Sequence, residues 1–153
     1  MAESWQPTLD DITRAFRDLA DRVADSRGGT LEPYVYQTLR DLTFHLELHV
    51  PGLESPPDPD AARAMAKASQ AALDRGDERE SLGRALRGLS FAPHDPTLFY
   101  LVASTCFELG AIELALRLLY HTLWIHPGYR AARADIEAMS AFLDDADEGG
   151  RAA

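Results

Sequence analysis

Gly76 and Gly110 stand 34 residues apart, and so do Pro93 and Pro127. Between these markers Ser81 matches Ala115, Leu82 matches Leu116 and Leu89 matches Leu123, all in phase. A period of this length means that one supersecondary unit is repeated. Such units stack, because none can bury its apolar face alone. The second unit is the easier to read. Leu98, Val102, Cys106 and Leu109 recur at helical spacing, Asp95 can cap the run, and Pro96 suits its first turn. Gly110 breaks it. Ile112, Ala115, Leu116, Leu119 and Leu123 then form a second stripe, which Pro127 and Gly128 end. Two antiparallel helices joined at a glycine make a helical hairpin.

On these residues the chain resembles the tetratricopeptide repeat (TPR) family, with two tandem repeats at about 62–95 and 96–129. In the second copy Phe99 stands at the large aromatic position, Val102 at the leucine position and Ala103 at the small position. Gly110, Ala115, Leu119 and Pro127 follow at the later signature positions. The first copy reads Met65, Ala68, Ser69, Gly76, Ser81, Ala85, Gly88 and Pro93. The chain departs from the family at Cys106, where an aromatic is usual, and at Thr122, where alanine is usual; both are packing positions. The resemblance implies an all-α fold of helical hairpins stacked as a short right-handed solenoid with a C-terminal capping helix.

Outside the repeats, Leu9, Ile12, Phe16, Leu19 and Val23 predict a first helix over 8–25, with Thr8 or Asp10 as its cap. The segment Leu31–His49 carries two patterns. Val35, Leu39, Leu42 and Leu46 give a helical stripe, whereas Phe44, Leu46, Leu48 and Val50 alternate as in a strand. Helix is the choice, because a lone strand would leave its backbone groups unpaired. Residues 1–50 thus read as an N-terminal hairpin and 51–60, with four prolines, as a stiff linker. Residues 61–143 read as the repeats plus a capping helix over Tyr129–Leu143. The acidic, Gly-containing stretch 144–153 reads as a disordered tail.

Charge narrows the function. The chain has 25 acidic against 15 basic residues, a formal net charge of −10, so no nucleic-acid or anionic-membrane partner is expected. No apolar run is long enough to span a bilayer. The single cysteine excludes an intrachain disulfide, and the polar N-terminus does not read as a targeting signal. A cytoplasmic setting of bacterial type is expected.

Chemistry-bearing clusters are few. His45 and His49 would share a helix face and could hold a transition metal, but HLELH lacks further ligands nearby. Histidines at a helix C-terminus also suit its dipole. Cys106 lies in an apolar stripe with no adjacent cation, as expected of an inert thiol. No catalytic constellation and no cofactor motif is present, so the chain reads as a non-enzyme. His121 and Trp124, three apart on one helix, could form a recognition patch, or they could pack against the capping helix.

In the TPR family the first helix of each pair lines a groove that holds a peptide or helix of a partner protein. The resemblance carries this role to Arg63, Lys67 and Gln70 in the first copy and to Tyr100, Ser104 and Phe107 in the second. The lysine and asparagine clamp by which some members grip a C-terminal carboxylate is absent: Ala66, Gln70, Leu101, Ala131 and Asp135 stand there instead. The alternative is that Tyr100 and Phe107 are buried by neighbouring helices or by the N-terminal hairpin. The expected function is that of an adaptor or assembly factor. A dedicated chaperone for a secreted or assembly client, self-association into a homo-oligomer, and a metal-responsive regulator using His45 and His49 are the alternatives.

Overall fold

The computed structural model describes residues 8–25, 33–48 and 58–152. Seven α-helices and no strand occur among them: α1 Leu9–Asp25, α2 Pro33–Leu46, α3 Pro59–Asp74, α4 Glu78–Phe91, α5 Pro96–Glu108, α6 Ile112–Ile125 and α7 Arg130–Ala152. Local chemistry sets their starts. Thr8 and Asp11 cap α1 reciprocally, the Asp11 N–H donating to Thr8 Oγ1 (3.1 Å) and the Thr8 N–H to Asp11 Oδ2 (3.0 Å). Asp58, Asp77 and Asp95 cap α3, α4 and α5 by accepting backbone N–H groups, and proline occupies the first turn of α3 and α5.

Both repeat turns are built on a left-handed glycine, Gly76 at φ 78° and Gly110 at φ 89°. In each, the next residue donates its N–H back across the helix end, Asp77 to Ala72 O and Ala111 to Cys106 O, both at 2.9 Å. This closure satisfies the last carbonyls and folds the second helix onto the first. The 34-residue period therefore repeats a turn geometry that only glycine adopts cheaply.

The repeat helices pack in series, α3 on α4, α4 on α5, α5 on α6 and α6 on α7, and α3 also touches α5. The N-terminal hairpin covers the second helices of the pairs: α1 packs chiefly on α4, and α2 rests on α1 and reaches α6. Ile12, Phe16, Leu19 and Val23 of α1 join Leu82, Leu86, Leu98, Phe99 and Leu119 in one core, with Phe16 meeting the Phe99 ring edge-on at 6.3 Å. The hairpin is docked, and it sits on the second-helix side of the stack. Residues 49–57, which include most of the expected linker, lie outside the described residues.

A buried chain of hydroxyls ties three helices together. Thr105 donates to Leu101 O (2.8 Å), which leaves its oxygen to accept from Ser81 Oγ (2.9 Å); Ser69 then donates to Ser81, whose carbonyl and hydroxyl oxygens lie at 2.9 and 3.0 Å. All three side chains are fully buried. Every hydroxyl proton is thus used, and the polar atoms cost little in the core. Thr122 satisfies its own hydroxyl on Leu118 O at 2.9 Å.

One expectation is corrected. The helix after Pro127 does not stop at Leu143 before a disordered tail; α7 runs on to Ala152. No proline follows Pro127 to stop it, and alanine, aspartate and glutamate all tolerate the helical backbone.

Candidate functional site

The face carried by α3, α5 and α7 holds the six residues expected to line a groove. On α3, Arg63, Lys67 and Gln70 are exposed at helical spacing. Arg63 is held by Asp60 at 3.2 Å and the Gln70 amide by Asp74 at 2.9 Å, so both are partly committed to their own helix. On α5, Tyr100, Ser104 and Phe107 share one side, whereas Phe99, Ala103 and Cys106 point into the core. Phe107 is 39% exposed.

Tyr100 behaves differently from its neighbours. It is half-buried, its hydroxyl donates to Asp135 Oδ2 at 2.7 Å, and its ring lies 5.3 Å from that of Tyr129. Burial and the Asp135 carboxylate push the phenol up to about 12, so it stays a donor at neutral pH. Tyr100 therefore pins α5 to α7. Lys67 and Phe107 remain as the exposed cation and the exposed aromatic of the face.

Among the described residues, the N-terminal hairpin meets α5 at Phe99 and Cys106, which lie on a different side of the helix from Tyr100, Ser104 and Phe107.

The other expected patch separates. His121 is fully buried, so it presents nothing at the surface, while Trp124 is 39% exposed and stacks on it at 5.3 Å. The imidazole also packs 4.3 Å from Phe99. Its polar partner is unexpected: His121 Nδ1 lies 3.0 Å from Glu47 Oε1, and Arg117 reaches the same oxygen at 2.7 Å. Burial lowers the imidazole to about 4, although Glu47 pulls it upward. The ring is therefore neutral at pH 7 and donates from Nδ1, and its Nε2 is left buried without a hydrogen-bond partner. Burial raises the Glu47 carboxyl, but the bonds from His121 and Arg117 outweigh it and hold the group below its usual range. Sequence reasoning placed Glu47 only inside HLELH. Nothing local to that motif shows that it meets α6, 70 and more residues away.

Two possible chemistries find no support in the geometry. Burial pushes the Cys106 thiol up to about 12, which leaves no thiolate for nucleophilic work. Among the described residues no group of three or more His, Cys, Asp or Glu side chains converges as metal ligands; His49 lies outside them, so the His45–His49 pair is not tested. A cleft of about 400 Å³ opens between α1 and α4, but its charges are matched internally, Arg84 with Glu80 and Arg87 with Asp21. No helix among the described residues is long and apolar enough to cross a membrane.

No protein-family model matches the sequence, and no curated protein does. Among solved structures the chain is similar to the C-terminal TPR-containing domain of a Plasmodium falciparum protein described as FK506-binding, with a TM-score of 0.52 at 12% identity. The likeness covers 93% of this chain and 97% of that one. It extends over the N-terminal hairpin as well as the two repeats. The fold is that of a TPR-containing domain.

Proposed function

We propose that this protein is a non-catalytic interaction module, an adaptor or assembly factor of the cytoplasm, that holds a segment of a partner protein along the face of α3, α5 and α7. The observation that carries the reading is the exposure of Lys67 and Phe107 on that face, while the N-terminal hairpin packs elsewhere. An exposed aromatic on one helix and an exposed cation on the next suit a segment with an apolar side chain and a carboxylate, held by burial and steered by charge. Arg63 and Gln70 on α3 can adjust to such a segment, and Ser104 offers a hydroxyl on α5. Tyr100 keeps α5 and α7 at a fixed spacing and so shapes the floor.

The test is affinity capture from native lysate with three baits, wild type, Lys67→Glu and Phe107→Ala. A partner recovered by wild type should be lost or reduced about 10-fold with either variant. Helicity should stay as in wild type with both variants, and melting with Lys67→Glu, whose side chain is exposed, whereas Phe107→Ala, which removes a ring only 39% exposed, should lower it modestly. Equal recovery by all three baits would remove the binding surface from this face.

A further inference from the structure

Because α7 continues past Leu143, Phe142 and Asp145 have fixed sides on a helix. Ala132, Ile136 and Met139 turn into the core, while Phe142 is 58% exposed. Phe142 follows Asp135 by seven residues, almost two whole turns, so the two share one side of α7. Asp135 accepts the hydrogen bond from Tyr100, so that side is turned towards α5. On α5, Phe107 follows Tyr100 by the same seven residues. The two helices run in the same direction, since each is joined to α6 by a tight turn. Both phenylalanines therefore lie about 10 Å along their helices from the Tyr100–Asp135 bond. The backbones of α5 and α7 hardly approach each other, so that bond spans an open furrow and closes one end of it. Two small side chains, Ser104 and Ala138, stand on the walls between the bond and the phenylalanines.

We propose that this furrow is the specificity pocket of the binding face, and that its occupant is a large apolar side chain of the partner segment with a lysine or arginine close after it. The proposal rests on the reading above, that the face of α3, α5 and α7 holds such a segment. A closed end, small walls and an aromatic on each side of the mouth suit one bulky apolar group. Charge selects its neighbour. Glu108 follows Phe107, and Asp145 lies one turn beyond Phe142, both exposed, so a carboxylate stands past the aromatic on each wall. The C-terminal end of α5 adds its negative dipole at the same edge. Lys67 is on α3, and α5 lies between α3 and α7. The charges of the face thus order the segment, its acid over Lys67 and its apolar and basic residues over α5 and α7.

The experiment is selection of random phage-displayed peptides of about twelve residues on the full wild-type chain, followed by fluorescence anisotropy of the labelled consensus peptide. The consensus should hold a large apolar residue with a lysine or arginine close after it. Phe142→Ala should weaken that peptide about 10-fold, and Asp145→Lys about as much. Helicity should stay as in wild type, because both side chains are exposed. Exchanging the basic residue of the peptide for glutamate should lower its affinity for wild type and restore it for Asp145→Lys. Binding that falls with Lys67→Glu and Phe107→Ala, yet is unmoved by Phe142→Ala and Asp145→Lys, overturns the furrow and leaves the wider face standing. Binding unmoved by all of these substitutions overturns both. A consensus without the apolar and basic pair, or no enrichment at all, overturns the furrow as well.

Discussion

His121 shows how one buried side chain can set the acid sensitivity of the chain. Its neutral ring is packed between Phe99 and Trp124 and hydrogen-bonded to Glu47. Burial lowers its pKa from 6.5 to about 4, while Arg117 and His94 add further resistance to an imidazolium. In the unfolded chain the group takes up its proton below about 6.5, and in the folded chain only near 4. The contribution is therefore complete above 6.5 and is lost as pH falls from 6.5 towards 4, worth about 3 kcal/mol at most. Glu47, held below 4.5, acts in the same direction at the lower end. Melting temperature should fall steeply between pH 6.5 and 4.5, and His121→Phe should flatten that slope. A wild-type slope left unchanged by the substitution would place the titrating group elsewhere.

At the scale of helices, the crossing of α3, α4 and α5 depends on the absence of one side chain. A Cβ on Gly88 would lie 2.7 and 2.9 Å from the two methyl groups of Leu98 and 3.1 Å from Met65 Cβ. Leu98 is fully buried and has nowhere to turn. Gly88→Ala should thus destabilise by about 1–3 kcal/mol through overpacking, in spite of the roughly 1 kcal/mol that alanine favours in a helix. Urea denaturation would measure it. The mirror change Leu98→Val, made in the alanine background, should recover part of the loss. Starts and turns of this kind were legible in the sequence, because aspartate caps, first-turn prolines and left-handed glycines are local chemistry. Even α2, where alternation from Phe44 competed with the helical stripe, forms the helix Pro33–Leu46 and then turns. The end of α7 was not legible, since an acidic stretch with two glycines is as compatible with helix as with tail. Of the candidate site, the family resemblance pointed to Lys67 and Phe107, and both side chains are exposed. That Tyr100 is tied to Asp135, and His121 to Glu47, depends on pairings 35 and 74 residues apart that no local pattern encodes.

For the whole molecule, the question is whether a proline-rich stretch divides it. The composition of 51–60 suggests two units, yet α1 and the repeats share one core. α1 shields α4, Arg87 of α4 pairs with Asp21, and Phe16 reaches past α4 to Phe99 of the second repeat. Two repeats alone bury little surface, and a repeat stack gains stability mainly from its neighbours. A docked hairpin therefore supplies what a third repeat would supply in a longer array. It follows that the hairpin and the repeats unfold together. Phe16→Ala removes a fully buried ring and leaves a cavity against Phe99, a loss of about 3–5 kcal/mol. Calorimetry should show one transition in wild type and one in the variant, shifted down as a unit. Helix loss and exposure of Trp124 by fluorescence should coincide, if the other tryptophan, Trp5, is first replaced by phenylalanine. A variant in which only part of the helicity melts early, while Trp124 reports an unchanged repeat transition, would make the hairpin an independent unit. The seam between α2 and α6 would then be a joint that opens, and the Glu47 bridge would be its weak point.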